Sequence, residues 1–231
     1  MTVLERPSET AAAESPPQRL RMTYEEFLAW AGEDTRAEWV NGEVIVLMPP
    51  KTHHQLILVF LTHLLVGFAQ VFRLGKIIAS PFEMKLSAQG SSREPDLLFI
   101  AAAHLDRLTE DRLDGPADLV VEIISGDSVT RDRVDKFDEY EAAGIPEYWI
   151  IDPRPTRRRA NFYQRDERGQ YQAVPVGADG LYHSKILPGF WLRVDWLWAE
   201  ELPSPLWALG QIVGPEKVVE AMRTLPRQTG A

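Results

Sequence analysis

The sequence predicts an α/β protein with one large domain, and three observations support this fold class. The composition, with 45% hydrophobic and 26% charged residues in a chain of 231, is that of an ordinary globular protein. Three apolar runs, residues 96–100, 119–124 and 147–151, have the length and content of buried strands. A polar helical pattern over residues 131–143 lies between the second and third runs, and the chain has no evident internal repeat.

We expect three regions along the chain. Residues 1–20 are rich in Glu, Ser, Pro and Ala and lack the apolar core of a signal peptide, which predicts a disordered leader. Residues 21–200 carry the strand and helix patterns of the predicted domain. Residues 201–231 form a C-terminal tail with one short amphipathic helix over residues 216–225.

The composition excludes several kinds of site. The chain has no cysteine, which excludes disulfides, thiolate nucleophiles and cysteine-ligated metal sites, and which agrees with a cytoplasmic location. The most apolar long run, residues 56–72, is interrupted by polar side chains. We therefore expect no membrane-spanning segment and no membrane partner.

The charge balance bears on nucleic-acid binding. A net charge of −9 opposes strong sequence-independent binding to phosphates, although a divalent cation inverts the local field of an acidic site. Four basic residues nevertheless cluster within six positions: Arg154, Arg157, Arg158 and Arg159. This cluster fits either a solvated loop or a contact with phosphate.

Two local signals define the first elements of the domain. Thr23 and Glu26 match a capping box, which predicts a short helix directly after Thr23. Asn41-Gly42 lies between two β-prone runs within residues 37–47. This dipeptide is the strongest short signal for a hairpin, because a type I′ turn needs positive φ at both central residues.

The next segment has the pattern of a long helix followed by extended chain. Thr52 is the predicted N-cap of a helix over residues 53–72, whose apolar residues follow a 3.6-residue period, and Gly75 is predicted to end it. Residues 77–86 are predicted to form one extended segment that bends at Pro81.

The C-terminal half continues the alternation of strands and helices. The helix over residues 131–143 is predicted to pack Val134 and Phe137 against the sheet, and the nearly all-apolar run over residues 147–151 predicts a central strand. Residues 161–174 are predicted to form a hairpin. Three tryptophans in a later apolar stretch belong either to the core or to a partner surface. They are Trp191, Trp196 and Trp198.

Acidic residues inside apolar strands are the anomaly of this sequence. Asp96 begins one strand and Glu122 lies within the next, yet a buried carboxylate is costly unless it is paired, hydrogen-bonded or bound to a metal. If these strands are neighbours, both carboxylates reach one point, where hard oxygen ligands select Mg²⁺ or Mn²⁺. The carbonyl of Ile123 could add a third ligand, and the Lys136 ammonium could stabilise hydroxide or the charged transition state. These groups together suit hydrolysis of a phosphodiester.

Several segments also carry a family resemblance. They are Tyr24-Glu25-Glu26-Phe27, Glu38-Trp39-Val40-Asn41-Gly42-Glu43, Pro49 with His54 and Gln55, Pro95-Asp96, Val121-Glu122-Ile123-Ile124-Ser125, Arg131-Asp132-Arg133-Val134-Asp135-Lys136, and Tyr140-Glu141-Ala142-Ala143-Gly144-Ile145-Pro146-Glu147-Tyr148-Trp149. Together, over roughly residues 22–196, they resemble the Uma-two family of restriction-endonuclease-like proteins, within the PD-(D/E)XK nuclease superfamily.

The resemblance implies a restriction-endonuclease-like mixed β-sheet flanked by helices, with β-hairpin additions at both ends. It implies that Asp96 and Glu122 bind the metal ion. The superfamily lysine normally lies two residues after the glutamate, where this chain has Ile124. The resemblance implies that Lys136, on the following helix, replaces it.

Three further residues are candidates for the same site. Glu38 matches an upstream acidic residue of the family and could bind metal directly or through water. The resemblance also keeps His54 as a candidate at the edge of the site. Ser125 either tightens the turn after its strand or contacts phosphate. Structural roles remain open for these residues, including strand-surface solvation for Glu38 and hydrogen bonding for His54.

We therefore predict a Mg²⁺- or Mn²⁺-dependent endonuclease that cleaves nucleic acid, with DNA as the expected substrate. A homodimer is expected because cutting two strands with one site per subunit needs two sites, and the tryptophan-rich segment could supply the interface. One alternative is a non-catalytic interaction or nucleic-acid-binding module. Another is a metal hydrolase that acts on a small phosphorylated substrate. Asp96 could also merely cap a turn, and Lys136 could merely pair with Asp132 or contact Tyr140.

Overall fold

The computed structural model of the protein describes residues 20–32, 35–47, 51–124 and 129–224. Within these ranges the strands form two six-stranded sheets and a two-stranded ribbon. The strands are β1 (Leu20–Arg21), β2 (Ala37–Val40), β3 (Glu43–Val46), β4 (Gly75–Ala79), β5 (Glu83–Lys85), β6 (Ser92–Arg93), β7 (Leu97–Ala101), β8 (Arg112–Asp114), β9 (Leu119–Ile123), β10 (Glu147–Asp152), β11 (Arg159–Arg165), β12 (Tyr171–Val174), β13 (Leu181–His183) and β14 (Trp191–Arg193). The helices are α1 (Tyr24–Trp30), α2 (Thr52–Phe72), α3 (Val129–Ala143), α4 (Pro205–Val213) and α5 (Pro215–Thr224), with 3₁₀ helices at Ala102–Arg107 and Val194–Trp198.

The central sheet has the strand order β12-β11-β10-β9-β7-β4. β9 and β10 run parallel, and the other neighbours in this sheet run antiparallel. A parallel pair needs a long crossover connection, and α3 supplies it. β9 and β10 are buried along their whole lengths, as their nearly continuous apolar sequences predict. The prediction of a mixed sheet flanked by helices is confirmed.

The two faces of the central sheet pack against different layers. Side chains alternate along a strand, so Val121 and Ile123 of β9 face the core that α2 and the C-terminal helices complete. Val120 and Ile124 face the opposite core, which includes residues of α3 and of the second sheet. Glu122 shares the face of Val120 and Ile124, because it lies between Val121 and Ile123.

The second sheet has the strand order β1-β3-β2-β6-β5-β8. Its β2–β3 hairpin turns at Asn41 and Gly42, with φ angles of 49° and 86°, which confirms the predicted turn. The capping box of Thr23 and Glu26 at the start of α1 is also confirmed. β2 pairs with β6 between Trp39 and Ser92. The turn and the capping box could be predicted because each depends on residues only a few positions apart in sequence.

The ends of α2 differ from the prediction. Thr52 is the first helical residue and not the N-cap, which is Lys51 and makes no side-chain capping bond. The helix ends at Arg73 in the left-handed conformation, and Gly75 instead begins β4. Gly75 has φ of 153°, and a Cβ there would lie 2.0 Å from the Ile100 carbonyl oxygen. Glycine is therefore required by the close approach of β4 to β7.

Two other expectations along the chain are corrected. The residues around Pro81 do not form one bent strand, because β4 belongs to the central sheet and β5 to the second sheet. α2 is long and apolar enough, by length and composition alone, to cross a membrane, contrary to the prediction. Such a helix is weak support for a membrane span, and nine residues of α2 are buried.

The C-terminal region adds an element that was not predicted. α4 precedes α5, starts with Pro205 at a favoured first-turn position, and packs on α2 through Ala208 and Leu209. Trp196 is buried and packs edge-on against Phe60 of α2, and Trp191 and Trp198 pack partly buried against the same core. These tryptophans are core residues, which resolves the two interpretations left open by the sequence. The predicted leader lies outside the described residues, except for Leu20 in β1.

Candidate functional site

Asp96 and Glu122 lie on the same face of the central sheet. β7 and β9 are antiparallel neighbours, with Leu97 opposite Val121. The same register carried one residue further places Asp96 opposite Glu122, and directly opposed residues have Cβ atoms about 5 Å apart. The negative charge of Asp96 is among the causes that raise the pKa of Glu122, which agrees with their proximity. The two carboxylates are thus brought together from positions 26 residues apart in sequence.

Asp96 is held by the main chain of β9 and by a histidine. Its Oδ2 accepts a hydrogen bond of 2.7 Å from the backbone N–H of Ile123. Its Oδ1 lies 3.2 Å from Nε2 of His54, in the first turn of α2. His54 is buried, and its Nδ1 has no hydrogen-bond partner among the described residues. His54 therefore lies at the predicted site and fixes one oxygen of Asp96.

α3 supplies two side chains that contact Glu122. The Lys136 ammonium donates to Glu122 Oε1 at 3.1 Å, and the Tyr140 hydroxyl donates to the same oxygen at 2.9 Å. Lys136 and Tyr140 are one helical turn apart, so both lie on the side of α3 that faces β9. Among the described residues, the other oxygen of Glu122 accepts no hydrogen bond. The prediction that α3 packs beside the Glu122 strand is confirmed.

Glu38 joins this cluster from β2 of the second sheet. Its Oε1 lies 2.8 Å from the Lys136 ammonium and also accepts a hydrogen bond of 3.2 Å from the backbone N–H of Glu94. Its Oε2 accepts from Arg93 Nη1 at 3.0 Å. Arg93 in turn donates from Nε to Glu139 Oε2 of α3 at 2.9 Å. Both oxygens of Glu38 are therefore engaged by protein donors.

The electrostatics of the cluster follow from burial and these contacts. Burial raises the pKa of Glu122 to about 7, with support from the charges of Asp96 and Glu38, although Lys136 opposes the rise. Burial alone would lower the pKa of Lys136, but Glu122 and Glu38 outweigh it and raise the pKa above the ordinary value. Lys136 is therefore an ammonium at neutral pH. It can stabilise negative charge but cannot serve as a general base.

The pKa of Glu38 shifts in the opposite direction from that of Glu122. Burial favours its neutral form, but the charges of Lys136 and Arg93 outweigh burial and lower the pKa below the ordinary value. Glu38 is therefore ionised at neutral pH and forms the central acceptor between two cations. Glu94 lies two residues before Asp96, and burial raises its pKa to about 7 against the opposing charge of Arg36.

The donor set at Asp96 and Glu122 fits a small hard cation. Among the described residues, no group of three or more His, Cys, Asp or Glu side chains comes together as a metal site. Mg²⁺, however, is usually bound through one or two carboxylates and keeps several waters or substrate oxygens. No described residue donates to the second oxygen of Glu122, and Asp96 Oδ2 accepts from the backbone N–H of Ile123. Asp96, Glu122 and the Ile123 carbonyl are thus the groups that would hold Mg²⁺ or Mn²⁺.

The structure brings together five of the side chains that the sequence singled out: Glu38, His54, Asp96, Glu122 and Lys136. Ser125 lies outside the described residues, so its role stays a prediction. Tyr140 was named only as a contact of Lys136, four residues away on the same helix. Two contacting residues were missed: Arg93 and Glu139. Arg93 offered a weak signal, because it lies three residues before Asp96 in a polar segment.

Comparison with known proteins identifies the family. The family model described as Uma2, putative restriction endonuclease, matches residues 24–195, which is more than half of the chain. The chain belongs to this family. No curated protein matches the chain. The Uma2 match spans every described site residue and supports nuclease function in general.

A solved structure has a similar fold. It is a putative nuclease belonging to DUF820 from Anabaena variabilis ATCC 29413, which aligns with a TM-score of 0.62 at 16% sequence identity. The alignment covers 76% of this chain and 97% of that chain. At this identity the match establishes the fold of the Uma2 protein and not its chemistry.

Proposed function

We propose that this Uma2 protein is a Mg²⁺- or Mn²⁺-dependent endonuclease that hydrolyses phosphodiester bonds, with DNA as its substrate. The observation that carries the proposal is the meeting of Asp96 and Glu122 beside the Lys136 ammonium. Hydrolysis of a phosphodiester adds water to phosphorus and releases an alcohol. A metal ion held by two carboxylates, with a cation near the attacking oxygen, lowers the barrier to this reaction.

Each side chain has a distinct role in this proposal. A bound Mg²⁺ or Mn²⁺ would polarise the phosphoryl oxygen and lower the pKa of bound water. Lys136 stabilises the negative charge that develops as water attacks. Tyr140 holds Glu122 through its 2.9 Å hydrogen bond, and His54 holds Asp96. Glu38 holds Lys136, because two protein cations, Lys136 and Arg93, already pair with its two oxygens, and this favours positioning over direct metal binding.

A homodimer is part of the proposal, because a protein with one site per subunit needs two subunits to cut both strands. Trp191, Trp196 and Trp198 pack in the core, so they are not candidates for the dimer interface. Exposed apolar side chains of the C-terminal helices are better candidates: Leu206, Trp207, Val219 and Met222. Light scattering on the purified protein should give twice the monomer mass, and a monomer at micromolar concentration would contradict this part.

A nuclease assay tests the central proposal. The protein is incubated with plasmid, linear duplex and single-stranded DNA, with and without Mn²⁺. We expect Mn²⁺-dependent cleavage that is lost in Glu122→Gln. Glu167→Gln, an exposed glutamate at the tip of the β11–β12 hairpin, is the matched control and should cleave like the wild type. Cleavage by Glu122→Gln at the wild-type rate would remove the assignment.

The same proteins separate the alternatives. A non-catalytic module predicts that calorimetry detects no Mn²⁺ binding that depends on Asp96 and Glu122, and that nucleic-acid or protein association survives their substitution. A hydrolase of small phosphorylated substrates predicts a closed pocket. Two hollows on the described surface are lined by other residues, one around Val174–His183 and one between α2 and the C-terminal helices. Neither hollow is lined by Asp96 or Glu122.

The cytoplasmic location remains part of the proposal. It rests on the absence of cysteine, which fits a reducing compartment but does not require one. Fractionation of cells that express the full chain, followed by detection of the protein in the soluble fraction, tests it. Recovery in the membrane fraction would contradict it and would direct attention to α2.

A further inference from the structure

The segment of residues 154–159, which spans the β10–β11 loop and the first residue of β11, holds four arginines and lies at the same end of the sheet as the candidate site. We call it the arginine loop. β10 and β9 are parallel, with Ile150 beside Glu122 and Ile151 beside Ile123. Asp152 ends β10 only two residues past Ile150, or about 7 Å along the strand. The chain therefore enters the arginine loop close to the strand end that carries Glu122.

The arginine loop is anchored at its base. Asp152 is fully buried, and the Arg154 guanidinium donates to both of its carboxylate oxygens at 2.8 Å. Arg159 Nε lies 4.0 Å from the same carboxylate. The backbone N–H of Arg157 donates to the Arg154 carbonyl at 2.8 Å, which closes a turn within the loop. The anchor at Asp152 and this turn give the loop a defined shape.

The two arginines at the middle of the loop are not used by the fold. Arg157 and Arg158 are exposed, and their guanidinium groups form no hydrogen bond or ion pair with any described residue. Arg154, in contrast, is occupied by Asp152. In a chain with a net charge of −9, Arg157 and Arg158 are two adjacent cations available to an anionic ligand.

The charge of the substrate gives these cations a role. A nucleic acid carries one negative charge about every 3.4 Å along each strand, and both the protein and its site carboxylates repel it. We propose that Arg157 and Arg158 bind backbone phosphates that flank the scissile bond and so hold the nucleic acid at the Glu122 site. The inference rests on the proposed function, because it assigns a surface to that substrate.

Binding measured as a function of salt tests this surface. Full-length wild type and Arg157→Gln/Arg158→Gln are titrated with a fluorescent duplex in EDTA, where no metal-dependent cleavage occurs. Two lost phosphate contacts should weaken binding roughly 10- to 100-fold near 0.1 M salt. The plot of log K against log salt should become shallower by about 2. Both arginines are exposed, so the substitution leaves the fold intact.

A matched pair controls for the loss of net charge. Arg168→Gln/Arg223→Gln removes two exposed arginines elsewhere. Arg168 lies at the tip of the β11–β12 hairpin, at the opposite end of β11 from the arginine loop. This pair should bind like the wild type, and an equal loss in it would overturn the inference. An unchanged slope in the Arg157/Arg158 variant, with Mn²⁺-dependent cleavage intact in the wild type, would overturn the surface but keep the function. Wild type that neither binds nor cleaves DNA would overturn both.

Discussion

Two glutamates on neighbouring strands of the central sheet are both buried, but the protein surrounds them differently. Glu147 on β10 accepts hydrogen bonds of 2.8 to 3.1 Å on both of its carboxylate oxygens from five neutral donors. The donors are Trp149 Nε1, the Tyr182 hydroxyl, the Ser184 hydroxyl and the backbone N–H groups of Lys185 and Ile186. Within the described part of the chain, Glu122 on β9 accepts hydrogen bonds from Lys136 and Tyr140 alone, and both donate to the same oxygen.

This difference separates a structural carboxylate from a functional candidate. Each buried carboxylate must be compensated, and five neutral donors fill the roughly four acceptor positions of the Glu147 carboxylate. Glu122 keeps one oxygen to which no described residue donates, and another carboxylate, Asp96, lies opposite it. A completed hydrogen-bond shell therefore indicates a role in the fold, and an incomplete shell beside a second acid indicates a binding site.

The largest expected effect is on catalysis at Glu122. Glu122→Gln removes the charge of a proposed metal ligand at nearly constant shape, so Mn²⁺-dependent cleavage should fall by about 10³-fold or more. Calorimetry should also detect much weaker Mn²⁺ binding. Circular dichroism should be unchanged. If Glu147→Gln, compared as folded protein, loses as much cleavage as Glu122→Gln, the distinction between the two glutamates is wrong.

The next effect concerns how Glu38 acts. Lys136→Met should lower turnover by about 10²-fold, because it removes the cation beside the attacking oxygen. Glu38→Gln should lower turnover by about 10-fold in the wild type and have no further effect in the Lys136→Met background, because Glu38 acts through Lys136. The four proteins of this cycle are compared by single-turnover cleavage.

Metal affinity gives a second measurement on the same variants. A positioning role leaves the Mn²⁺ affinity of Glu38→Gln close to that of the wild type. If Glu38 bound the metal directly, this variant should lose Mn²⁺ affinity by more than about 100-fold, which exceeds the roughly 10- to 100-fold effect typical of an outer-shell residue. Additive losses of turnover in the cycle would argue against the Glu38–Lys136 connection.

The stability effect should be largest at the other glutamate. Glu147→Gln replaces an acceptor oxygen with an NH₂ group that faces other donors, so several buried N–H and O–H groups lose their partner. We expect the free energy of unfolding to fall by about 2 to 4 kcal/mol, measured by urea denaturation. Glu167→Gln on the exposed hairpin tip should change it by less than about 0.5 kcal/mol. A neutral Glu147→Gln would mean that the five hydrogen bonds contribute little.

The sequence predicted features that depend on nearby residues. Local patterns predict the β2–β3 turn and the capping box of α1. Residue periods and apolar runs predict the helices α2 and α3 and the strands β9 and β10. Asp96 and Glu122 could be singled out because an acid is anomalous in an apolar strand. Their position opposite one another depends on the pairing of β7 with β9, which local sequence patterns do not determine.

The missed residues depend on contacts between distant segments. Arg93 lies in the two-residue strand β6, and only its pairing with β2 brings it to Glu38. Glu147 resembles any strand-initiating acid in the sequence, and three of its donors come from residues 184–186, nearly 40 positions later. Thr52 misled the prediction because a threonine suits an N-cap, but its backbone is already helical. The structure overrides this local preference, because α2 begins at Thr52 and its N-cap is Lys51.

The most specific effect is a pH dependence of stability that belongs to Glu122. Burial raises its pKa from 4.5 to about 7, so the folded metal-free protein holds this proton more tightly than the unfolded chain does. The contribution to stability is complete below pH 4.5 and is lost as pH rises through 7, by an amount on the order of 3 kcal/mol. Urea unfolding in EDTA at pH 5 and pH 8 measures it.

Glu122→Gln cannot ionise, so its free energy of unfolding should decrease less between pH 5 and pH 8 than that of the wild type. Part of the decrease should remain in the variant, because burial also raises the pKa of Glu94 to about 7. The double variant Glu94→Gln/Glu122→Gln should therefore have the flattest profile. Equal decreases in the wild type and in Glu122→Gln would mean that the Lys136 ammonium compensates the Glu122 charge fully. In that case Glu122 would be a fully compensated buried carboxylate, as Glu147 is, and the contrast between the two glutamates would fail.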